Sequence, residues 1–196
     1  GNKYIDFLSG AGALNYGHND QKIIDSLLNY LQNDGVVMGL DMHTSAKEEF
    51  IRTFQKYVLL PRQLDYKLQF TSPTGTSVVE SAVKLARKFS GRNNIIAFTN
   101  AFHGMSGNSL CLTGSRHNRQ SFCDSASVTR LPYDNYLGED VDTVSYLRKL
   151  LVDQSSGVDL PAAVILESVQ AEGGLNVAST EWLIALSKLC NDMGIS

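Results

Sequence analysis

Four short stretches hold the residue types from which a binding or catalytic site could be made. In residues 72–76, SPTGT, Pro73 biases Ser72 to extended backbone, and Gly75 allows a turn that a side chain would obstruct. A helix starting at about Thr76 would present free N–H groups and the positive end of its dipole, which suits an anion such as a phosphate. An ordinary helix cap explains the same letters. In residues 100–109, NAFHGMSGNS, a flat ligand could lie against the Phe102 ring with His103 beside it. A core phenylalanine and a turn histidine are the plain alternative. In residues 167–174, ESVQAEGG, Glu167 and Glu172 are candidates for charge work, or simply a solvated loop. In residues 9–20, SGAGALNYGHND, small residues would let backbone approach a ligand closely, with Tyr16 and His18 adding polar reach. A flexible N-terminal loop accounts for it equally.

The elements between these stretches decide whether they meet. Residues 21–33 place Ile24, Leu27, Leu28 and Leu31 at helical spacing, and residues 44–57 do the same with Ala46, Phe50, Ile51 and Phe54. Strands and helices then alternate. Strands are expected at 66–70, 94–99, 128–131 and 162–167. The intervening helices are expected at 76–89, on a stripe of Val78, Ala82, Leu85 and Phe89, and at 142–154, on Val144, Leu147 and Leu151. A last helix at 179–192 turns Leu183, Leu186, Cys190 and Met193 inward. Glu80 and Lys84 form an i,i+4 pair on the polar side of the first. NIIAFT and AAVILE are continuous apolar runs, as in strands covered on both faces. The order predicts an α/β fold with a mostly parallel sheet and helices on both faces. Ligands of such sheets collect beyond the carboxyl ends of the strands, where the second and third stretches fall.

Composition narrows the classes. The 196 residues carry a net charge of −3 with no basic run, which argues against nucleic acid as a partner. Hydrophobic content of 43% and charged content of 19% fit a globular chain without a bilayer-spanning run, so no membrane partner is expected. Cys111, Cys123 and Cys190 lack metal-ligand spacing and read as free thiols of a reducing, cytoplasmic compartment; no metal site is expected. The final residues NDMGIS read as a helix end followed by the first apolar residue of another element, which suggests a fragment.

Taken together, TGT-x3-E-x3-KLAR, AFHG, E-x2-QAEGG and the N-terminal DF-x-SG-x-G-x5-GH resemble the class III pyridoxal-phosphate aminotransferases of fold type I. GAGALNYGHN, LDMHTSAKEEF, LDYKLQFTSPTGT, FTNAFHGMS and PAAVILESVQAEGG look closest to the branch acting on 2,4-diaminobutyrate and 2-oxoglutarate, including those feeding ectoine synthesis. The resemblance implies pyridoxal 5'-phosphate as cofactor, with the Gly75 and Thr76 amides on its phosphate, Phe102 on its ring, and His103 and Glu167 beside it. It implies substrate roles for Glu172, which would mask or release a substrate-binding arginine, and for Tyr16 at the entrance. Residues 1–40 would be an N-terminal segment lining the active site, and 41–196 part of the large cofactor domain of a homodimer or higher homo-oligomer. Ser77 and Pro73 depart from the commoner Glu and Ser or Asn, at positions that need not offer the phosphate a side chain.

The resemblance also implies a Schiff-base lysine, a carboxylate for the pyridine nitrogen and the substrate arginine. None of the nine lysines stands in the family context, so no catalytic residue is assigned and the chain by itself is expected to be inactive. The whole enzyme would transfer the amino group of glutamate to aspartate 4-semialdehyde, giving 2-oxoglutarate and 2,4-diaminobutyrate. Three other readings stay open: another ω-amino acid aminotransferase of the class, a non-catalytic fragment with an unpaired sheet edge, and an unrelated phosphate-binding α/β domain. The last lacks both a Walker lysine and a GxGxxG loop.

Overall fold

The computed structural model describes residues 1–120 and 127–196, in two compact units that divide between Gln69 and Phe70. In the first unit, α1 (Gln21–Gln32) is capped by Asp20, whose carboxylate accepts from the Lys22 and Ile23 amides. Helix α2 (Ser45–Phe54) is capped by Thr44, runs on through a π-helical turn at Gln55–Leu59 and ends in the 3-10 turn Leu60–Arg62. Both expected helices therefore form, but their apolar stripes stay open. Leu27, Leu28 and Leu31 are 56%, 47% and 45% exposed. The strand expected at 66–70 does not form: among the described residues neither sheet includes it.

The second unit is built on α3 (Gly75–Ser90), β1 (Ile95–Phe98), α4 (Gly107–Leu112), β2 (Val128–Leu131), α5 (Thr143–Val152), β3 (Ala163–Val164), β4 (Val169–Gln170), β5 (Asn176–Val177) and α6 (Thr180–Met193). The first sheet is parallel in the order β2-β1-β3, with Ile95 opposite both Val128 and Ala163. All four residues of β1 are buried. Their alternation separates two cores. Ile96 and Phe98 pack with Tyr133, Val144, Leu147, Trp182, Leu186 and Leu189, so α5 and α6 cover one face. Ile95 and Ala97 pack with Val83, Ala86 and Leu112, so α3 and α4 cover the other. Each large side chain buried this way contributes about 1.5–3 kcal/mol. The expected parallel sheet with helices on both faces is thus present.

Three details differ from the sequence reading. Helix α3 turns Val79, Val83 and Ala86 to the sheet, and Val78, Leu85 and Phe89 outward, the last 86% exposed. Apolar residues lie on two adjacent stripes, and contact with Ile95, Ala97 and Ala162 selects the second. Residues 107–112 form a helix and 169–177 a short antiparallel hairpin, neither expected from the sequence. Cys190 is a free thiol, as expected, but Cys111 is disulfide-bonded; Cys123 lies outside the described residues. Among the described residues no helix is long and apolar enough to cross a membrane.

Candidate functional site

Three of the four stretches meet in the second unit. Helix α3 begins at Gly75, one residue before the expected start, because Thr74 takes the cap position and its hydroxyl accepts from the Ser77 amide at 3.1 Å. The Gly75 and Thr76 amides have no acceptor among the described residues and stand at the positive end of a 16-residue helix. Gly75 does not serve the turn as expected: its φ is not positive, and a Cβ would meet nothing within 4 Å. What the glycine leaves is open space over two free donors.

The stretch after β1 packs beside that helix start. Gly104 has φ +140°, and a Cβ there would stand 2.6 Å from both Thr76 Oγ1 and Ser109 Oγ. His103 is buried, and its backbone amide donates to Thr113 Oγ1 at 3.0 Å. Its Nε2 has no hydrogen-bond partner among the described residues. Desolvation, aided by the nearby Arg130 guanidinium, pushes the imidazole pKa from 6.5 down to about 4, so the ring is neutral near pH 7. Arg130 is itself anchored on the Cys111 and Thr113 carbonyls.

The ends of β1 and β3 are joined by one hydrogen bond: the Phe102 amide donates to Glu167 Oε2 at 2.9 Å. Burial raises the Glu167 pKa, the Phe102 N–H opposes that, and the Glu172 charge adds to the rise. Phe102 and Glu172 line one cleft of 480 Å³ together with Asn100, Gly173, Arg116 and Asn118. That volume suits a small-molecule site. The cleft lining brings Phe102 and Glu172 together but does not include Gly75, Thr76, His103 or Glu167. Tyr16 belongs to the first unit, where it is 85% exposed. Arg116 and Asn118 had no sequence signal beyond being polar residues in a loop.

Glu80 is not the partner of Lys84 that helical spacing suggested. No ion pair forms between them; the carboxylate instead accepts from the Ser109 amide at 2.7 Å and from Asn108 Nδ2 at 2.9 Å. The unsatisfied N–H groups at the start of α4 outcompete an exposed lysine. Burial works to raise the Glu80 pKa, but these hydrogen bonds outweigh it and hold the carboxyl below its ordinary 4.5. The stability that Glu80 supplies is therefore complete above pH 4.5 and lost as pH falls through its lower folded value. Glu80→Ala is expected to cost about 1 kcal/mol near neutral pH, and Glu80→Gln to flatten the acid limb of urea-unfolding stability. An unchanged acid limb would contradict the cap.

The family described as aminotransferase class-III matches residues 1–196. The chain is 57% identical over 196 residues to the diaminobutyrate–2-oxoglutarate transaminase of Wolinella succinogenes, covering all of this chain and 46% of that protein. It therefore spans under half the length of the curated relatives it matches. Among solved structures, an aminotransferase of Bacillus anthracis superposes with a TM-score of 0.82 at 18% identity, over 100% of this chain and 45% of that one. The ornithine aminotransferase of Toxoplasma gondii, described with partial occupancy of PLP at its active site, does so with 0.77 at 23% identity, over 100% and 44%.

Proposed function

The chain belongs to the class III aminotransferase family, and on that premise we propose that it supplies the cofactor cradle and one wall of the substrate cleft of a pyridoxal-phosphate transaminase. Its fold is that of the fold type I transaminases. The reaction in this reading moves the amino group of glutamate to aspartate 4-semialdehyde, giving 2,4-diaminobutyrate and 2-oxoglutarate. The named relative at 57% identity supports the choice of substrates. The observation that carries the site is the convergence of the α3 start, the residues after β1 and the residues after β3, held by the Phe102–Glu167 hydrogen bond.

The residues fit the cofactor. The open Cα of Gly75 and the two free amides suit a phosphate, and the unpartnered His103 Nε2 suits a polar group of the cofactor. When bound, pyridoxal phosphate supplies the electron sink that stabilises negative charge at the substrate carbon. The chain's own part is binding and orientation. Gly75 and Thr76 would donate to the phosphate, Phe102 would lie against the ring, and neutral His103 would hold one hydrogen bond at Nε2. Glu167, fixed by the Phe102 N–H, would close the pocket floor, and Glu172 would face the substrate. The roles of Tyr16 and of residues 1–40 on the substrate side rest on the family resemblance alone. So do the homodimer, the cytoplasmic location and an ectoine-type pathway.

No lysine of this chain stands in the family context, so the chain alone is expected to bind pyridoxal phosphate reversibly and without turnover. Borohydride treatment should then leave no fixed cofactor by mass; a specific lysine adduct would overturn this division of labour. The same sequence within a full-length enzyme, carrying the remaining portion its relatives have, should aminate aspartate 4-semialdehyde from glutamate. A clear preference for another ω-oxo acid would favour the alternative ω-amino acid aminotransferase reading.

A further inference from the structure

We propose that Gln170 is a positioning residue for Glu172: its side-chain amide ties the β4–β5 hairpin to the end of β1 and so sets where Glu172 stands in the cleft. This rests on the reading of Glu172 as the substrate-facing carboxylate. The hairpin cannot hold itself. Its two strands are two residues each, paired Val169 with Val177 and Gln170 with Asn176, and isolated hairpins of any length are marginal in water. Something outside it must fix its place, and Gln170 is the side chain that reaches out. It is fully buried while its neighbour Val169 is 46% exposed. A buried amide is costly unless both its ends are bonded. Here Nε2 donates to the Thr99 carbonyl at 2.8 Å and Oε1 accepts from Asn176 Nδ2 at 3.0 Å. The same Asn176 Nδ2 also donates to the Gly173 carbonyl at 3.1 Å, which closes the turn holding Glu172.

Thr99 is the first residue past β1, and Asn100 and Phe102 behind it line the cleft. One amide therefore links the strand end that carries Phe102 to the turn that carries Glu172. Backbone contact completes the link. A Cβ on Gly173 would stand 2.3 Å from the Asn100 carbonyl oxygen, so the turn rests directly on Asn100. A residue there merely to fill space could be apolar; the donor aimed at a strand-end carbonyl fixes distance and register.

The test uses a full-length enzyme carrying this sequence, with Gln170→Met, Gln170→Glu, Asn176→Ala and, as reference, Glu172→Gln. Loss of the Thr99 bond should leave the substrate arginine poorly masked, so KM for the ω-amine substrate should rise about tenfold while KM for the dicarboxylate changes less than about twofold. Amide hydrogen exchange at residues 171–175 should quicken about tenfold, with β1 unchanged. Asn176→Ala keeps the test open if the buried substitutions do not fold. Faster exchange with an unaltered KM split would make Gln170 structural only and overturn the proposal. If Glu172→Gln changes discrimination and the Gln170 and Asn176 variants do not, the positioning role fails alone. If Glu172→Gln changes nothing, the reading of Glu172 beneath it fails.

Discussion

Replacing Gly104 by alanine is expected to cost about 3 kcal/mol or more of stability and to weaken phosphate binding at the start of α3. Two independent penalties meet at this position. The backbone sits at φ +140°, a region that L side chains rarely adopt. A Cβ would also press on three atoms at once, Thr76 Oγ1 and Ser109 Oγ at 2.6 Å and Ser109 Cβ at 2.9 Å. Ser109 is fully buried and cannot swing away. Relief has to come from Thr76, whose amide is one of the two free donors at the helix start. The stability loss would be read from urea unfolding, and the binding loss from titration with inorganic phosphate and pyridoxal phosphate. Ser109→Gly in the Gly104→Ala background should recover part of the loss. Stability equal to the parent chain would show that the loop yields without moving the helix start.

Acidification from about pH 6.5 is expected to destabilise the chain through His103, by up to about 3 kcal/mol on reaching pH 4. The folded imidazole pKa is held down at about 4 against 6.5 unfolded. Between those values the unfolded chain binds the proton and the folded chain does not. Stability therefore rises with pH across that window and is level above it, at a slope of at most about 1.4 kcal/mol per pH unit. His103→Asn, which does not titrate, should remove the slope between about pH 5 and 6.5, where the carboxylates contribute least. Unfolding curves of both proteins across that range decide the matter. Equal slopes would mean that the imidazole is protonated in the fold at its ordinary value. A bound ligand accepting from Nε2 would raise the folded pKa, so the slope should also shrink when pyridoxal phosphate is present.

The legible parts of the fold were those with long, repeated patterns. NIIAFT states its own burial on both faces, because a strand exposed on one side would alternate. The helices of residues 143–152 and 180–193 show their inward residues through spacing, although Trp182 and Leu189 join them only in three dimensions. The missed elements are short. A six-residue helix and a pair of two-residue strands do not complete a period. Helix α3 was mis-turned because two neighbouring stripes were both apolar, and only the partner surface chooses between them. The candidate site followed the same rule. Phe102 and Glu167 were expected at one sheet edge from strand order, but their hydrogen bond joins residues 65 apart in sequence and has no local signature. Gln170 looked like one polar letter in ESVQAEGG; its weight comes from burial against Thr99, a long-range fact. Glu80 shows the converse, a local i,i+4 pattern overruled by helix ends that needed an acceptor.

The open stripes of α1 have a calorimetric consequence. In residues 1–69, Leu59 is the one buried side chain among the described residues, whereas the second unit shields nearly all the large apolar side chains of its two cores. The heat-capacity increment of unfolding follows apolar area newly wetted. Melting the first 69 residues wets little that was dry, so the curvature of the chain's stability with temperature is a property of residues 70–196. Cooling or warming would bend the stability of residues 70–196 while leaving that of the α1 segment almost a straight line.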